Sequence, residues 1–298
     1  MAQLTRREWG TAVAGGLVLL PFSRLRQERS VVAGVRIGAQ SYSFRGRPLD
    51  EVIAAMKTIG LSFCELWQSH VETTQAIGAA RGINRAERRE LLRKWRLGVP
   101  LDHFAEIRKA FAAAGVTITA YNLSFGDDFS DDEIARGFEM ARALGTDVIT
   151  ASSTLSVVPR VAAAADAAKM TVAFHNHSNI RPNEFATPES FETALQASPR
   201  MAVNLDIGHF TAANFDALDY LDKRHDRIVS IHIKDRRRDQ GANVPFGEGD
   251  TPIIAVLQRL RDRKWDMPAQ IEYEYKGTDT IAEVTRCYDY CRRALEAR

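Results

Sequence analysis

The 298-residue chain has only three cysteines, Cys64, Cys287 and Cys291, too few and too unevenly placed for a disulfide framework. Cys287 and Cys291 stand four apart on a helix-like segment, an awkward geometry for a bridge, so they read as small buried or half-buried thiols. Charge of one sign is equally scarce. With 40 Lys and Arg against 38 Asp and Glu, the net +2 exerts no general pull toward nucleic acid or anionic lipid. The run Gly10 to Phe22, apolar apart from Thr11, is too short for a comfortable membrane span. No Gly-rich dinucleotide loop follows the first strand-like segment, which argues against a doubly wound nucleotide fold. What is present is ordinary for a soluble globular protein: 45% hydrophobic and 26% charged residues, excluding disordered and fibrous classes.

The first thirty residues stand apart. Thr5-Arg6-Arg7-Glu8-Trp9 precedes the apolar run, and Arg24, Arg26 and Arg29 follow it. This order of charge, apolar run and charge resembles a twin-arginine export signal, although no clear Ala-x-Ala cleavage site appears. Residues 1–30 are therefore expected to be a signal segment and the protein to be exported to the periplasm, with no stable membrane insertion beyond that segment. Residues 31–298 remain for one domain, the length of a single α/β barrel of roughly 250 residues.

From Arg36 onward, strand-like and helix-like segments alternate. Strands are expected at Ile37 to Ser41, Ser62 to Leu66, Thr117 to Tyr121, Val148 to Ala151, Thr171 to His175, Met201 to Asp206, Ile228 to Lys234 and Ala269 to Glu274. Each is followed by a helical pattern, several with start signals such as Asp131-Asp132-Glu133. Eight β-then-α units in series favour a single closed (β/α)8 TIM barrel over an open sheet. An insertion at about 68–100 follows the second strand and contains a charged helical stretch, Asn84 to Arg96. At that place it is either a lid or side wall of the site, or a solvated helix face.

Barrel chemistry gathers at the C-terminal ends of strands, whereas strand interiors hold branched aliphatics. Four consecutive ends are unusually polar: His175-Asn176-His177, Asn204-Leu205-Asp206-Ile207-Gly208-His209, His232-Ile233-Lys234-Asp235 and Gln270-Ile271-Glu272-Tyr273-Glu274. Alternation puts His175 with His177, His232 with Lys234, and Glu272 with Glu274 on shared faces. One inward group per strand gives His175, Asp206, His232 and Glu272. Two imidazoles and two carboxylates suit one divalent ion, Mn²⁺, Zn²⁺, Co²⁺ or Fe²⁺, and are too nitrogen-rich for Ca²⁺ or Mg²⁺.

These stretches, with Gly247-Glu248-Gly249-Asp250, Gln40-Ser41-Tyr42-Ser43-Phe44 and Cys64-Glu65-Leu66-Trp67, resemble the xylose isomerase-like barrel superfamily. That superfamily includes sugar and sugar phosphate isomerases and epimerases, inosose dehydratases and endonuclease IV. The resemblance implies metal-ligand positions at Asp206, His232 and Glu272, and a substrate or supporting position at His209. Where ketose epimerases carry a fourth ligand Glu on the fifth strand, this chain has His175, which sets it apart from simple C3 epimerisation. The His-rich fifth strand is nearer to inosose dehydratase-like members and to an exported subgroup with a downstream Glu-Phe, here Glu184-Phe185, so Glu184 is an alternative ligand to His175.

The expected activity is enolisation beside a carbonyl of a sugar or keto-sugar, as an isomerase or epimerase. A keto-sugar or inosose lyase, a dehydratase, or a 3-keto-glycoside-processing enzyme is the alternative on the same scaffold. Glu272 or His175 would serve as base, His209 or His177 as proton donor, and Lys234 would stabilise the enediolate. Trp67 and Phe44 would stack on a sugar face or cap the core, and Glu65, facing inward at the end of the second strand, would bind hydroxyls, assist proton transfer or form a rim salt bridge. Glu248 lies in a Gly-flanked loop suited to closing over substrate. Arg236, Arg237 and Arg238 would hold an anion or form a solvated turn, the latter preferred for an exported enzyme. An endonuclease IV-like phosphodiesterase and a metal-free sugar-binding barrel are the competing classes. The expected partner is a small sugar or polyol, without nucleic acid, and a homo-oligomer is compatible with the sequence.

Overall fold

The computed structural model of the protein describes residues 29–72 and 84–297. The expected signal lies outside the described residues except for Arg29 and Ser30. The strands are β1 (Val31–Val32), β2 (Val35–Gln40), β3 (Phe63–Trp67), β4 (Thr117–Asn122), β5 (Val148–Ala151), β6 (Thr171–His175), β7 (Met201–Asp206), β8 (Ile228–Ile233) and β9 (Ala269–Ile271). The short β1 pairs antiparallel with β2. From β2 to β9 every neighbouring pair is parallel, and β2 pairs again with β9, Ile37 against Ala269 and Ala39 against Ile271. That last pairing closes the sheet, so the fold is a single (β/α)8 TIM barrel and not an open sheet.

The helices form where caps and apolar spacing agree. Helix Asp131–Ala143 begins at Ser130, whose hydroxyl accepts from Glu133 N while the Glu133 carboxylate accepts from Ser130 N. Its buried Ile134, Phe138 and Ala141 recur at helical spacing and seat it on the barrel. Burying Ile134 and Phe138 stabilises this contact by about 1.5–3 kcal/mol each. The hydrophobic core is the shell between strands and helices, with Val172, Phe174, Leu205, Ile231, Ile233 and Ile271 all buried in it.

The barrel interior departs from the expectation of branched aliphatics. Gln40, Glu65, Asn122, Thr150, Asn204, Ser230 and Gln270 are all buried. Glu65 on β3 touches Thr150 on β5, Asn204 on β7 and His232 on β8, contacts that only the interior permits. Hydrogen bonds, not packing, fill this barrel. Strand ends also shift: β8 stops at Ile233 and β9 at Ile271, so Lys234, Glu272 and Glu274 stand just beyond regular strand.

The insertion is a wall anchored by charge. Helix Arg85–Gly98 starts on a capping box between Asn84 and Glu87. Its Arg96 is buried and binds Glu72 through two contacts of 2.6 and 2.9 Å, and Arg89 reaches Glu133 at 2.5 Å. The expected solvated face therefore holds for only part of this helix. Residues 73–83 of the insertion lie outside the described residues.

Candidate metal centre

Each of the last four barrel strands, β6 to β9, delivers one side chain to the same point at the barrel mouth. His175 and Asp206 end β6 and β7, His232 lies near the end of β8, and Glu272 directly follows β9. The register places Asp206 opposite His232. One ligand atom from each of His175, Asp206, His232 and Glu272 falls within 4.8 Å of all the others, and all four residues are buried. His175 Nε2 lies 3.5 Å from Asp206 Oδ2 and 3.8 Å from Glu272 Oε2, and His232 Nδ1 lies 4.0 Å from Asp206 Oδ2. Ligands each about 2.1 Å from a common ion stand roughly 3–4 Å apart, so the spacing fits.

Hydrogen bonding points the same way. His175 Nε2 is buried without a hydrogen-bond partner, a state that costs free energy unless something else satisfies it, and Asp206 Oδ2 has only its ion-pair contact with Lys234 at 3.0 Å. The far nitrogen of each imidazole is already engaged. His175 Nδ1 lies 3.3 Å from Ser152 Oγ, and His232 Nε2 lies 2.9 Å from Glu65 Oε2. Each ring thus turns its other nitrogen toward the cluster, and the set fits one divalent ion with mixed nitrogen and oxygen ligands.

Lys234 ties this group together. Its ammonium is 3.0 Å from Asp206, 2.9 Å from Glu272 and 2.8 Å from Glu274. Burial acts against its charge, but these three carboxylates raise its pKa above the ordinary lysine value. Burial would likewise raise the Asp206 and Glu272 pKa values, yet Lys234 foremost pulls both below the usual carboxylate range. Burial also opposes protonation of His232, and Glu65 with Glu272 outweighs it, lifting its pKa well above the usual value. His209 behaves oppositely: desolvation, then the Lys234 charge, hold it neutral. Its Nε2 is 2.9 Å from Lys234 Nζ and its Nδ1 is 2.7 Å from Arg236 Nη1, and a neutral ring accepts from one of these at a time.

Local structure explains these placements. Asp206 also caps the short helix Ile207–Ala212, its Oδ1 accepting from His209 N at 2.6 Å. That helix, unforeseen in the sequence, swings His209 over the mouth. Gly208 is required there, because a Cβ would stand 2.7 Å from the Lys234 carbonyl oxygen.

A cavity of about 340 Å³ opens above the four residues, lined by Tyr42, Trp67, His175, His177, His209 and Glu274 among others. His177 also borders two adjoining cavities of about 640 and 560 Å³. One is lined by Ser178, Asn179, Arg181, Arg236 and Gln240, the other by Ser152, Ser153, Thr154, Asp127 and Arg85. Glu184 lines both side cavities, not the four-residue cluster, so the fifth-strand position in the cluster is held by His175.

Three expected substrate contacts are corrected by burial or distance. Glu65 faces inward as expected, but it lies beneath His232, fully buried inside the barrel and below the rim. Phe44 is fully buried on the 3-10 turn Ser41–Phe44; Tyr42 of that turn lines the mouth instead, edge-on to Trp67 at 4.9 Å. Glu248 is exposed on a loop that buried Asp235 pins by accepting from Gly247 N, Gly249 N and Thr251 N. A Cβ on Gly249 would collide with Asp235 Oδ1, so that glycine serves this fastening. Of the three arginines after β8, Arg237 and Arg238 are exposed, while Arg236 folds back onto His209 and Ser178. Tyr42, Glu274 and Arg236 are site residues that sequence reasoning left out of the site or read as surface; Glu274 alone had a signal, its shared face with Glu272.

Fold and cluster together define a class: a TIM barrel with a mixed nitrogen and oxygen cluster at its C-terminal mouth. The chain belongs to the xylose isomerase-like TIM barrel family, whose model matches residues 53–291. It is 30% identical over 91 residues to L-ribulose-5-phosphate 3-epimerase UlaE of Escherichia coli, a stretch that is 30% of this chain and 32% of that relative. The chain thus spans about a third of the length of the curated relative it matches. Among solved structures it resembles 3-keto-D-glucoside 4-epimerase YcjR from E. coli (TM-score 0.62, 14% identity, covering 87% of this chain and 99% of that one). It also resembles the probable 3-DHS dehydratase AsbF from Bacillus anthracis (TM-score 0.63, 16% identity, 89% and 100% covered). At such identities these likenesses establish the fold. Among the described residues, no helix is long and apolar enough to cross a membrane.

Proposed function

We propose that the protein is a divalent-metal-dependent enzyme that enolises a sugar or keto-sugar next to its carbonyl, as an isomerase or epimerase. The observation that carries this reading is the convergence of His175, Asp206, His232 and Glu272, with His175 Nε2 buried and without a hydrogen-bond partner. An ion held there would supply Lewis acidity toward a carbonyl oxygen. The chain's own groups do the rest. Lys234, charged and lining the mouth, stabilises negative charge on an enediolate oxygen. His177 lines the same cavity; desolvation, then the His175 and Lys234 charges, press its pKa down to about 4 even though its outer edge is exposed. At this place the ring can take up the substrate proton and return it, which includes the donor role expected from the sequence. Trp67 and Tyr42 offer aromatic edges and faces for a sugar ring.

A second reading, a lyase or a 3-keto-glycoside-processing enzyme, is favoured by one observation. The mouth alone meets the size of a small-ligand site, and it continues past His177 into two polar cavities. They leave room for a substituent on the reacting sugar, which elimination would release. Export to the periplasm, read from residues 1–30, accompanies either reading.

Solvent deuterium decides between them. The full chain, loaded with Mn²⁺, Zn²⁺, Co²⁺ or Fe²⁺ in turn, is incubated in D₂O with ketoses, inososes and 3-keto-glycosides. Deuterium appearing beside the carbonyl of a recovered ketose supports the isomerase or epimerase reading, and release of the substituent supports the lyase. Absence of exchange across the panel with every metal contradicts enolisation.

A further inference from the structure

Glu65 is fully buried inside the barrel, and its two oxygens face six side chains drawn from five strands. Oε1 accepts from Gln40 Nε2 at 2.8 Å, Thr150 Oγ1 at 2.7 Å, Asn204 Nδ2 at 3.2 Å and, at the limit, Asn122 Nδ2 at 3.4 Å. Oε2 faces His232 Nε2 at 2.9 Å and takes a longer contact from Ser230 Oγ at 3.4 Å. Burying a carboxylate costs several kcal/mol even after relaxation. A barrel that needed only to be filled would place a branched aliphatic here. Both register shifts recorded in the parallel ladder, at Cys64/Glu65 and Val203/Asn204, fall on members of this group. Such irregularities re-aim side chains, and here they bring Asn204 Nδ2 and His232 Nε2, 3.0 Å apart, side by side onto the Glu65 carboxylate.

The contact fixes where a proton sits. A carboxylate only accepts, so a bare Nε2 at 2.9 Å would set two lone pairs against each other in a buried site. One proton must lie between them, and imidazole is the stronger base of the two. Nδ1 stands equally close, 2.9 Å, to Glu272 Oε2, so without an ion both ring nitrogens carry protons; a cation taking Nδ1 would displace that proton, and Glu65 would keep the one on Nε2. His175 has no such support: its far nitrogen meets only Ser152 Oγ at 3.3 Å.

We propose that Glu65 is a positioning residue of the metal centre, holding the His232 proton on Nε2 so that Nδ1 is presented to the ion. The inference rests on the reading that His175, Asp206, His232 and Glu272 hold a divalent ion. Glu65 lines no part of the mouth cavity and touches no substrate; it acts through His232. Gln40, Thr150 and Asn204 in turn hold Glu65, which gives the polar barrel interior a purpose that packing alone does not.

The test measures Zn²⁺ affinity of the full chain by competition with a chromogenic chelator, for the parent, Glu65→Gln, Glu65→Asp and His232→Ala. Glu65→Gln keeps the shape but its amide can also donate to Nε2, so affinity is expected to fall by about 10- to 100-fold. Glu65→Asp withdraws the carboxylate by one methylene and is expected to lose affinity toward the lower end of that range, about 10-fold. A second readout is nitrogen NMR of the His-labelled, Zn²⁺-loaded chain. The parent should show a slowly exchanging His232 Nε2–H signal that is shifted or lost in Glu65→Gln. Either Glu65 variant folding with affinity within twofold of the parent overturns the proposal, even if its melting temperature drops. So does a loaded parent whose His232 proton resides on Nδ1. His232→Ala separates the two claims: loss of uptake there with retention in both Glu65 variants removes Glu65 and leaves the metal reading standing. A parent that takes up no Zn²⁺ removes both.

Discussion

Two buried clusters of charge lie in this molecule, and they are finished differently. Beneath the insertion, Arg96 meets Glu72 through two short contacts and reaches Glu133 at 3.5 Å. These three side chains leave no buried atom without a hydrogen-bond partner, although Arg89, which also holds Glu133, has two. At the barrel mouth, His175, Asp206, His232 and Glu272 come equally close, but His175 Nε2 has no hydrogen-bond partner and Asp206 Oδ2 meets only the Lys234 ammonium, in an ion pair at 3.0 Å. A saturated buried ion pair is a clasp, and breaking it exposes the cost of the charge left behind. Imidazoles and carboxylates converging on one point are instead shaped to hold a cation. Burial and charge alone do not tell the two apart; the kind of groups and their convergence do.

The largest effect should come from removing a ligand at the mouth. Asp206→Ala is expected to lose stoichiometric metal, measured by elemental analysis, and to slow turnover by about 1,000-fold, equivalent to about 4 kcal/mol. Retained metal at parental stoichiometry would abolish the distinction drawn between the clusters. Next is the clasp: Arg96→Ala leaves Glu72 buried without its cation and should cost about 3–5 kcal/mol in urea unfolding. Its folded fraction should bind metal as the parent does; a parallel fall in affinity would mean that the two clusters are coupled. Third, Mn²⁺ or Zn²⁺ at a hundred times its Kd should stabilise the parent by about 2.7 kcal/mol, and Asp206→Ala not at all.

The last effect, spread over a pH window, belongs to neither cluster. Buried His70, beside Trp67, is depressed by desolvation to about 4, and backbone contacts only partly offset that. Because the folded chain binds its proton less readily than the unfolded chain, this contribution is complete above about 6.5. It is lost as pH falls from there toward about 4. The difference between parent and His70→Gln in unfolding free energy should shrink across that window by up to about 3 kcal/mol. A flat difference would contradict the depressed value.

Legibility in the sequence followed how directly a residue's role depends on its own strand. His175, Asp206, His232 and Glu272 sit at or just past strand ends, where alternation and barrel geometry dictate position, and the structure gathers them. The eight strands and the closed barrel were readable for the same reason, periodicity and turn signals being local. Glu65 was read as facing inward, but not its depth beneath the mouth, because how deep a side chain sits depends on register, a property of two strands. Phe44 and Tyr42 exchanged roles through a 3-10 turn that breaks the alternation assumed for an extended segment. Arg236 looked like its exposed neighbours Arg237 and Arg238 until the chain folded it onto His209, a contact made across 27 residues.

The central claim is most directly tested by soaking crystals with Mn²⁺ and recording an anomalous difference map. A single strong peak per chain is expected within bonding distance of His175 Nε2, Asp206 Oδ2, His232 Nδ1 and a Glu272 carboxylate oxygen. A map with no peak there, or with the ion held elsewhere by other residues, would contradict it.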